Sequence, residues 1–319
     1  MSNPMKAVII NRYGSADVLQ YAEVETPQIK TDQLLVLVHA TSVNPVDWKI
    51  RSGLLKLLTG NRFPMILGFD LSGEVVEVGN SVTQFQKGDL VYAQLDSLTG
   101  GAYAEYAAVS EQAACLKPNN MSYEQAAAVP LAALTALQAL RDCGQIQQGQ
   151  HVLINGGSGG VGTNAIQIAK ALESNVTAVC STKNVELVKS LGADSVIDYT
   201  QKDFTKDGAK YNIIFDVVGN KSFFGCQKSL KPNGVYITTQ PFPDRFVQSF
   251  LTLLLPGKKT KVVLVKSRGK DLAYLKELIE AGKIQSIIDR TYPLSEVAAA
   301  HAQGEQGHAV GKIVMTVAS

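Results

Sequence analysis

Residues 151–173, HVLINGGSGGVGTNAIQIAKALE, decide how this chain folds. The run HVLIN has the length and branched apolar content of a buried strand, and GVGTNAIQIAKALE has helical spacing. Between them Gly157, Ser158, Gly159, Gly160, Val161 and Gly162 satisfy G-x-G-x-x-G. Glycines there permit a tight turn and let a pyrophosphate approach the backbone, resting on the unpaired N–H groups that open the helix. The motif alone is weak, because glycine-rich loops often only connect elements. Strand, turn and helix in that order supply the context a dinucleotide site requires.

Working outward from this turn, strands and helices alternate downstream. VTAVC, the helix NVELVKSL, SVIDY, YNIIFDVV, a helix through Lys228 and GVYITT follow in turn. Such βαβ rhythm predicts a parallel, doubly wound sheet. Upstream, KAVII, QLLVLVHA, GEVVEVG, GDLVYAQL and AEYAAV are short strands broken by turns, which predicts a mainly antiparallel, partly barrel-like β domain. SYEQAAAVPLAALTALQAL reads as helix with a break at Pro130. DLAYLKELIEAG reads as an amphipathic helix, and the tail GKIVMTV as a strand that returns to the first domain. The expected division is residues 1–124 with 267–319 for the β domain, and 125–266 for the dinucleotide domain.

Composition excludes several classes. The 319 residues suffice for two domains, and 45% hydrophobic against 18% charged residues is globular. Thirty Lys and Arg against 28 Asp and Glu give no field that favours nucleic acid or an anionic surface. Cys115, Cys143, Cys180 and Cys226 are scattered without ligand spacing, as in a reducing compartment. No apolar run reaches the roughly 20 residues of a membrane helix, and the first residues lack the pattern of a cleaved signal. These features predict a cytoplasmic protein, although an organellar address without a cleaved peptide would be invisible here.

The second strand of the dinucleotide domain bears on the cofactor. An NAD site usually carries Asp or Glu about 20 residues past the glycines, where it bonds the ribose hydroxyls. VTAVC instead ends in Ser181-Thr182-Lys183, with no carboxylate before Glu186. Ser181 can donate to a 2′-phosphate, Lys183 can neutralise it, and Tyr199 at the end of the third strand can close the pocket. The sequence therefore predicts NADPH. The plainer alternative makes Ser181 a helix cap and Lys183 a solvated lysine.

ATSVNPVDWK, ILGFDLSGEVVEVG, KGDLVY, AAAVPLAALTALQAL, GGSGGVG, KSLGADSVIDY and HAVGKIV, in that order over nearly the whole chain, resemble the medium-chain dehydrogenase/reductase superfamily. The likeness is to its quinone oxidoreductase branch, especially the plant quinone oxidoreductase-like and alkenal reductases. It implies a GroES-like substrate domain, a Rossmann cofactor domain and a cleft between them. Zinc-dependent members place a Cys and a His ligand where this sequence has Asn44 and Phe69, and Phe69 can ligate nothing. No catalytic zinc is expected. Without a Lewis acid, a conjugated acceptor such as a quinone, enal or enone suits hydride transfer better than a simple ketone.

The resemblance implies positioning roles for Asn44 and Lys49 near cofactor or substrate, with Asp47 orienting Lys49 or capping the turn. It places Thr135 near the cofactor, lets Gly311 and Lys312 reach it, and makes Phe69 and Tyr92 candidate walls of a substrate pocket. Each has a plainer reading, as a turn, cap, strand opening or core residue. An enoyl-thioester reductase and a catalytically silent NADPH-binding protein stay open as alternatives, and so do one- and two-electron quinone reduction. Residues 51–67 lack the tyrosine that enoyl-thioester reductases use as proton donor. PFPDRFVQSFLTLLLPGKKTK reads as a helix packed over the active-site mouth or at a homodimer contact, then a solvated turn; peripheral membrane contact is the open alternative.

Overall fold

The continuous apolar run Leu34–Val38 within the strand Gln33–Ser42 buries side chains on both of its faces, and a sheet assembles around it. In the computed structural model, which describes residues 4–317, Gln33–Ser42 pairs antiparallel with Asp70–Val78 along one edge. Its other edge takes Tyr106–Ser110 beside residues 33–37 and Lys312–Thr316 beside residues 40–42. Leu90–Gln94 and Ala114–Leu116 extend the sheet on one side, and Ile288–Pro293 lies parallel to Lys312–Thr316 on the other. A separate small sheet joins Pro4–Ile10 to Gln20–Glu25 and Met65–Ile66. Val36, Leu71, Val91, Val109, Ile313 and Met315 are among the apolar side chains that fill this core.

These elements form one compact unit: residues up to Leu131, Lys266–Ala281, and the chain from Ser286 onward. Ala132–Val265 with Gly282–Gln285 form a second. The boundary falls inside the helix Pro130–Gln138, which continues Tyr123–Ala127 after a break. Proline explains that break: it has no N–H and is at home in a first helical turn.

The second unit is a six-stranded parallel sheet. Its strand order is Ser195–Asp198, Asn175–Cys180, His151–Asn155, Tyr211–Asp216, Leu230–Thr238 and Lys259–Val262. The chain winds one way from His151–Asn155 and then restarts on its other side at Tyr211–Asp216. That reversal opens a crevice at the carboxyl ends of these two strands, where doubly wound sheets bind ligands. Both expected fold classes are present.

The segment after Gln240 departs from expectation. Pro243–Leu254 is helical, but its polar side chains Arg245, Gln248, Ser249 and Thr252 are the half-buried ones. Phe246, Val247, Phe250, Leu251, Leu253 and Leu254 are exposed. The expected solvated turn is instead an edge strand, with Lys258, Lys259 and Lys261 donating to the carbonyls of Gln227, Thr252 and Cys143. Lysine suits an edge strand, where its charge discourages further pairing.

Candidate functional site

In the first unit, Asn44 precedes the helix Pro45–Arg51, whose proline is preset for a first turn. Asp47 Oδ2 accepts from the Asn44 backbone N–H at 2.7 Å, so Asp47 caps this helix. Among the described residues it makes no hydrogen bond or ion pair to Lys49. The same Oδ2 accepts from the Tyr103 hydroxyl at 2.9 Å. Tyr103 lies 3.1 Å from His301 Nε2, and Arg51 lies 3.1 Å from His301 Nδ1 and pairs with Glu305. Because an arginine can only donate, His301 Nδ1 is the acceptor and Nε2 carries the hydrogen. Burial, and then Arg51, push the His301 pKa down to about 3, so the ring is neutral. Burial pushes the Asp47 carboxyl up to about 7, against the bonds from Asn44 and Tyr103. Its Oδ1 has no partner among the described residues.

Beside this chain, Lys312 donates to the Val43 carbonyl at 3.0 Å, to Asn44 Oδ1 and to Asp70 Oδ2 at 3.3 Å. These three acceptors match its three hydrogens. Asp70 also takes Asn44 Nδ2 and the Ser42 hydroxyl at 2.8 Å, while its Oδ1 takes the Leu131 backbone N–H at 2.7 Å. Asn44 is 1% exposed and Lys312 6%. Both are therefore committed to an internal network, and the expected reach of Lys312 to a cofactor is corrected: all of its donors are used within its own unit. Gly311, at φ 76°, opens the last strand with its Cα against the Ile287 carbonyl, where a Cβ would lie at 2.1 Å.

Tyr92 requires another correction. It is fully buried and its hydroxyl donates to the Leu272 carbonyl at 2.6 Å, so it is a core residue rather than a pocket wall. That bond ties its strand, Leu90–Gln94, to the helix Gly269–Glu280. Phe69 likewise packs in the main apolar core. Lys49 differs from its neighbours. It is half-buried, burial lowers its pKa, and its side-chain ammonium has no hydrogen bond or ion pair among the described residues. Its ammonium is thus available to an anionic or oxygen ligand.

In the second unit the glycine turn has the form a pyrophosphate needs. Gly156 adopts φ 90°, and Gly159 is the cap of the helix Gly160–Ala171. A Cβ on Gly162 would lie 2.0 Å from the Gly156 carbonyl oxygen, so only glycine lets helix and turn approach. A Cβ on Gly159 would meet nothing closer than 3.8 Å. The first helical turn carries no acidic residue, and its leading N–H groups point outward from the strand end. This cradle fits a pyrophosphate. Ser158 is held by Asn184 Nδ2 at 2.9 Å, which ties the turn to the loop after the second strand.

That loop carries Ser181 and Lys183, and Tyr199 follows the neighbouring strand, whose Asp198 pairs in register with Cys180. Lys183 and Tyr199 are exposed, and neither side chain has a hydrogen bond or ion pair among the described residues. Asp198, a carboxylate the sequence reading passed over, accepts from the Thr182 and Thr200 hydroxyls at 2.5 and 2.8 Å and from Gln201 at 3.0 Å. The Thr182 bond chiefly holds its carboxyl below the usual range. Thr135 is buried on its helix.

Comparison with known proteins fits both units. The model for the alcohol dehydrogenase GroES-like domain matches residues 30–119, and that described as zinc-binding dehydrogenase matches 191–315. The chloroplast envelope quinone oxidoreductase homolog of Arabidopsis thaliana is 36% identical, over 98% of each chain. The chain belongs to the medium-chain dehydrogenase/reductase superfamily. Within the superfamily it falls among quinone and alkenal/one oxidoreductases. The NADPH-dependent alkenal/one oxidoreductase of the A. thaliana chloroplast is 38% identical over 98% of this chain and 79% of its own length. The quinone oxidoreductase of Coxiella burnetii superposes with a TM-score of 0.91 at 34% identity, covering 99% of this chain and all of that one. The chain is thus an oxidoreductase with a nicotinamide dinucleotide site. Among the described residues no group of three or more His, Cys, Asp or Glu is placed to hold a metal, and no helix is long and apolar enough to cross a membrane.

Proposed function

We propose that this protein is an NADPH-dependent, zinc-independent reductase of quinones and α,β-unsaturated carbonyl compounds. The observation that carries the cofactor reading is the open end of the second strand. Ser181, Lys183 and Tyr199 border it with unengaged polar groups, and its nearest acid, Asp198, is occupied by Thr182, Thr200 and Gln201. A 2′-phosphate would gain a charge-assisted bond from Lys183 there. Gly157–Gly162 would receive the pyrophosphate on backbone N–H groups. When bound, the nicotinamide supplies hydride.

The acceptor class is supported by the names of the two relatives and by Asn44 and Phe69 at the expected ligand places. With no ligand set to polarise a carbonyl, the acceptor must itself delocalise the incoming negative charge. Quinones and enals do so by conjugation. Lys49, unpaired and partly desolvated, is the residue of the first unit suited to stabilise an oxygen anion or hold a cofactor oxygen. Asn44, Asp47, Asp70 and Lys312 hold the backbone from which it projects.

The test is steady-state turnover on a panel of quinones, enals, enones and enoyl-thioesters with NADPH and NADH, run beside metal analysis. NADPH oxidation by quinones or enals, unchanged by a chelator, is the expected result. Preference for an enoyl-thioester would replace the acceptor class. Tight NADPH binding without turnover on any acceptor would sink the enzyme reading.

A further inference from the structure

Tyr211–Asp216 ends beside His151–Asn155 with Asp216 directly opposite Asn155, at the point where the winding of the sheet reverses. Asp216 is fully buried, and its carboxylate is saturated by four donors. Oδ1 accepts from Asn155 Nδ2 at 2.7 Å and the Gly219 backbone N–H at 2.9 Å. Oδ2 accepts from the Tyr236 hydroxyl at 2.7 Å and the Lys221 backbone N–H at 3.0 Å. The middle and the far end of the loop 217–221 are thereby pinned to one carboxylate.

The rest of the loop is fixed by its neighbours. The Val217 N–H donates to the Asn155 carbonyl at 3.1 Å, and Asn155 Nδ2 reaches Asn220 Oδ1 at 2.9 Å. Thr239 and Gln240 donate to the carbonyls of Val217 and Val218 at 2.9 and 3.3 Å. Gly219, at φ 74°, presses against Gln240. All of this holds Val218, 49% exposed, directly against the glycine turn: a Cβ on Gly156 would lie 2.6 Å from Val218 Cγ2.

We propose that Asp216 is a positioning residue for the nicotinamide half of the cofactor, setting the loop 217–221 as the wall on that side of the glycine turn. The inference rests on the NADPH reading above. Sheet order supplies the polarity. Ser181 and Lys183 lie on the Asn175–Cys180 side of His151–Asn155 and serve the adenosine end, and the glycine turn holds the pyrophosphate. A dinucleotide laid across the reversal point must then extend toward Tyr211–Asp216. A carboxylate at this place is well suited to the task. It accepts from two backbone N–H groups and two side chains without touching the ligand, and charged acceptors make the stronger bonds. An exposed apolar residue beside a backbone cradle that is otherwise polar is what a flat aromatic ring would pack against.

The experiment measures equilibrium dissociation constants of NADPH and of adenosine 2′,5′-bisphosphate, a probe for the adenosine end alone, by intrinsic fluorescence or calorimetry. Asp216→Asn must turn an amide toward one pair of donors, freeing one backbone N–H of the loop. We expect NADPH affinity to fall roughly tenfold, the order expected for losing charge-assisted bonds. The bisphosphate should change by less than about twofold. Tyr236→Phe removes a single donor and keeps the ring, so its effect should run the same way but reach only about threefold. It also decides the matter if Asp216→Asn fails to fold. Unchanged NADPH affinity in a folded variant overturns the inference, as does an equal loss for both ligands, which would mark a merely structural pin. Failure of the unaltered protein to bind either ligand would instead overturn the NADPH reading itself.

Discussion

The two units handle polar side chains in opposite ways. Around Asn44, Asp70 and Lys312 nearly every buried polar atom has its partner inside the same unit, and Asp47 Oδ1 is the exception among the described residues. Around Ser181, Lys183 and Tyr199 the side chains lie open beside a glycine turn with unpaired N–H groups. The first cluster holds backbone in place and contributes to stability; the second is arranged to be completed by a ligand. Substitutions in the first should therefore act on unfolding, and substitutions in the second on binding.

The largest effect belongs to Lys312→Met. It strands Asp70 as an unpaired buried charge and loosens Asn44, and breaking a buried pair costs about 3–5 kcal/mol. Urea unfolding should show that loss, and the double variant Lys312→Met/Asp70→Asn should recover part of it. A variant as stable as the parent would show that the pair contributes nothing.

Asp47 offers a test by pH. Its carboxyl is raised to about 7 from 3.8 by burial, so the folded state keeps a proton that the unfolded state has already released. The stabilising contribution of that proton is full below about pH 4 and is lost as pH climbs toward 7. Asp47→Asn cannot ionise, yet its amide oxygen can accept the bonds from Asn44 and Tyr103. The stability of Asp47→Asn relative to the parent should thus rise between pH 4 and 7 by a few kcal/mol, at about 1.4 kcal/mol per unit at most. A difference independent of pH would mean that Asp47 titrates normally.

Smaller and confined to binding, Lys183→Ala should weaken NADPH roughly tenfold and NADH hardly at all, with no shift in Tm. Added salt should shrink the gap between the two cofactors, because the residue is exposed. Equal losses for both would remove Lys183 from the phosphate pocket. Smallest, Lys49→Met should lower kcat or cofactor affinity severalfold while leaving stability within about 0.5 kcal/mol, as it breaks no internal bond. Unchanged kinetics would leave Lys49 with only a solvation role.

What could be read from the chain follows the range of the interactions. The glycine turn and the βαβ rhythm are local patterns, and each named the element that forms. The internal network was out of reach for the opposite reason: Arg51 and His301 meet across 250 positions, and Tyr103 and His301 across 198. Nothing in the spacing of four scattered histidines announces a neutral, buried acceptor. Asp70 stood inside a recognised motif and gave a faint signal, as an acid set among strand residues. Lys258, Lys259 and Lys261 misled because a lysine run reads as solvent-facing, whereas here the ammonium groups satisfy carbonyl ends and Lys259–Val262 forms an edge strand.

The strand Lys312–Thr316 has a consequence for how the protein is made. It pairs with Gln33–Ser42, and its Ile313 and Met315 enter a core whose other members begin at Val8. During synthesis the first unit stays unfinished, with apolar surface uncovered, until Lys312–Thr316 has emerged from the ribosome. The second unit is nearly contiguous and can close earlier. Ribosome stalling before Lys312–Thr316, or loss of that strand, would leave a half-built β unit in the same chain as a folded one, the kind of species that chaperones capture.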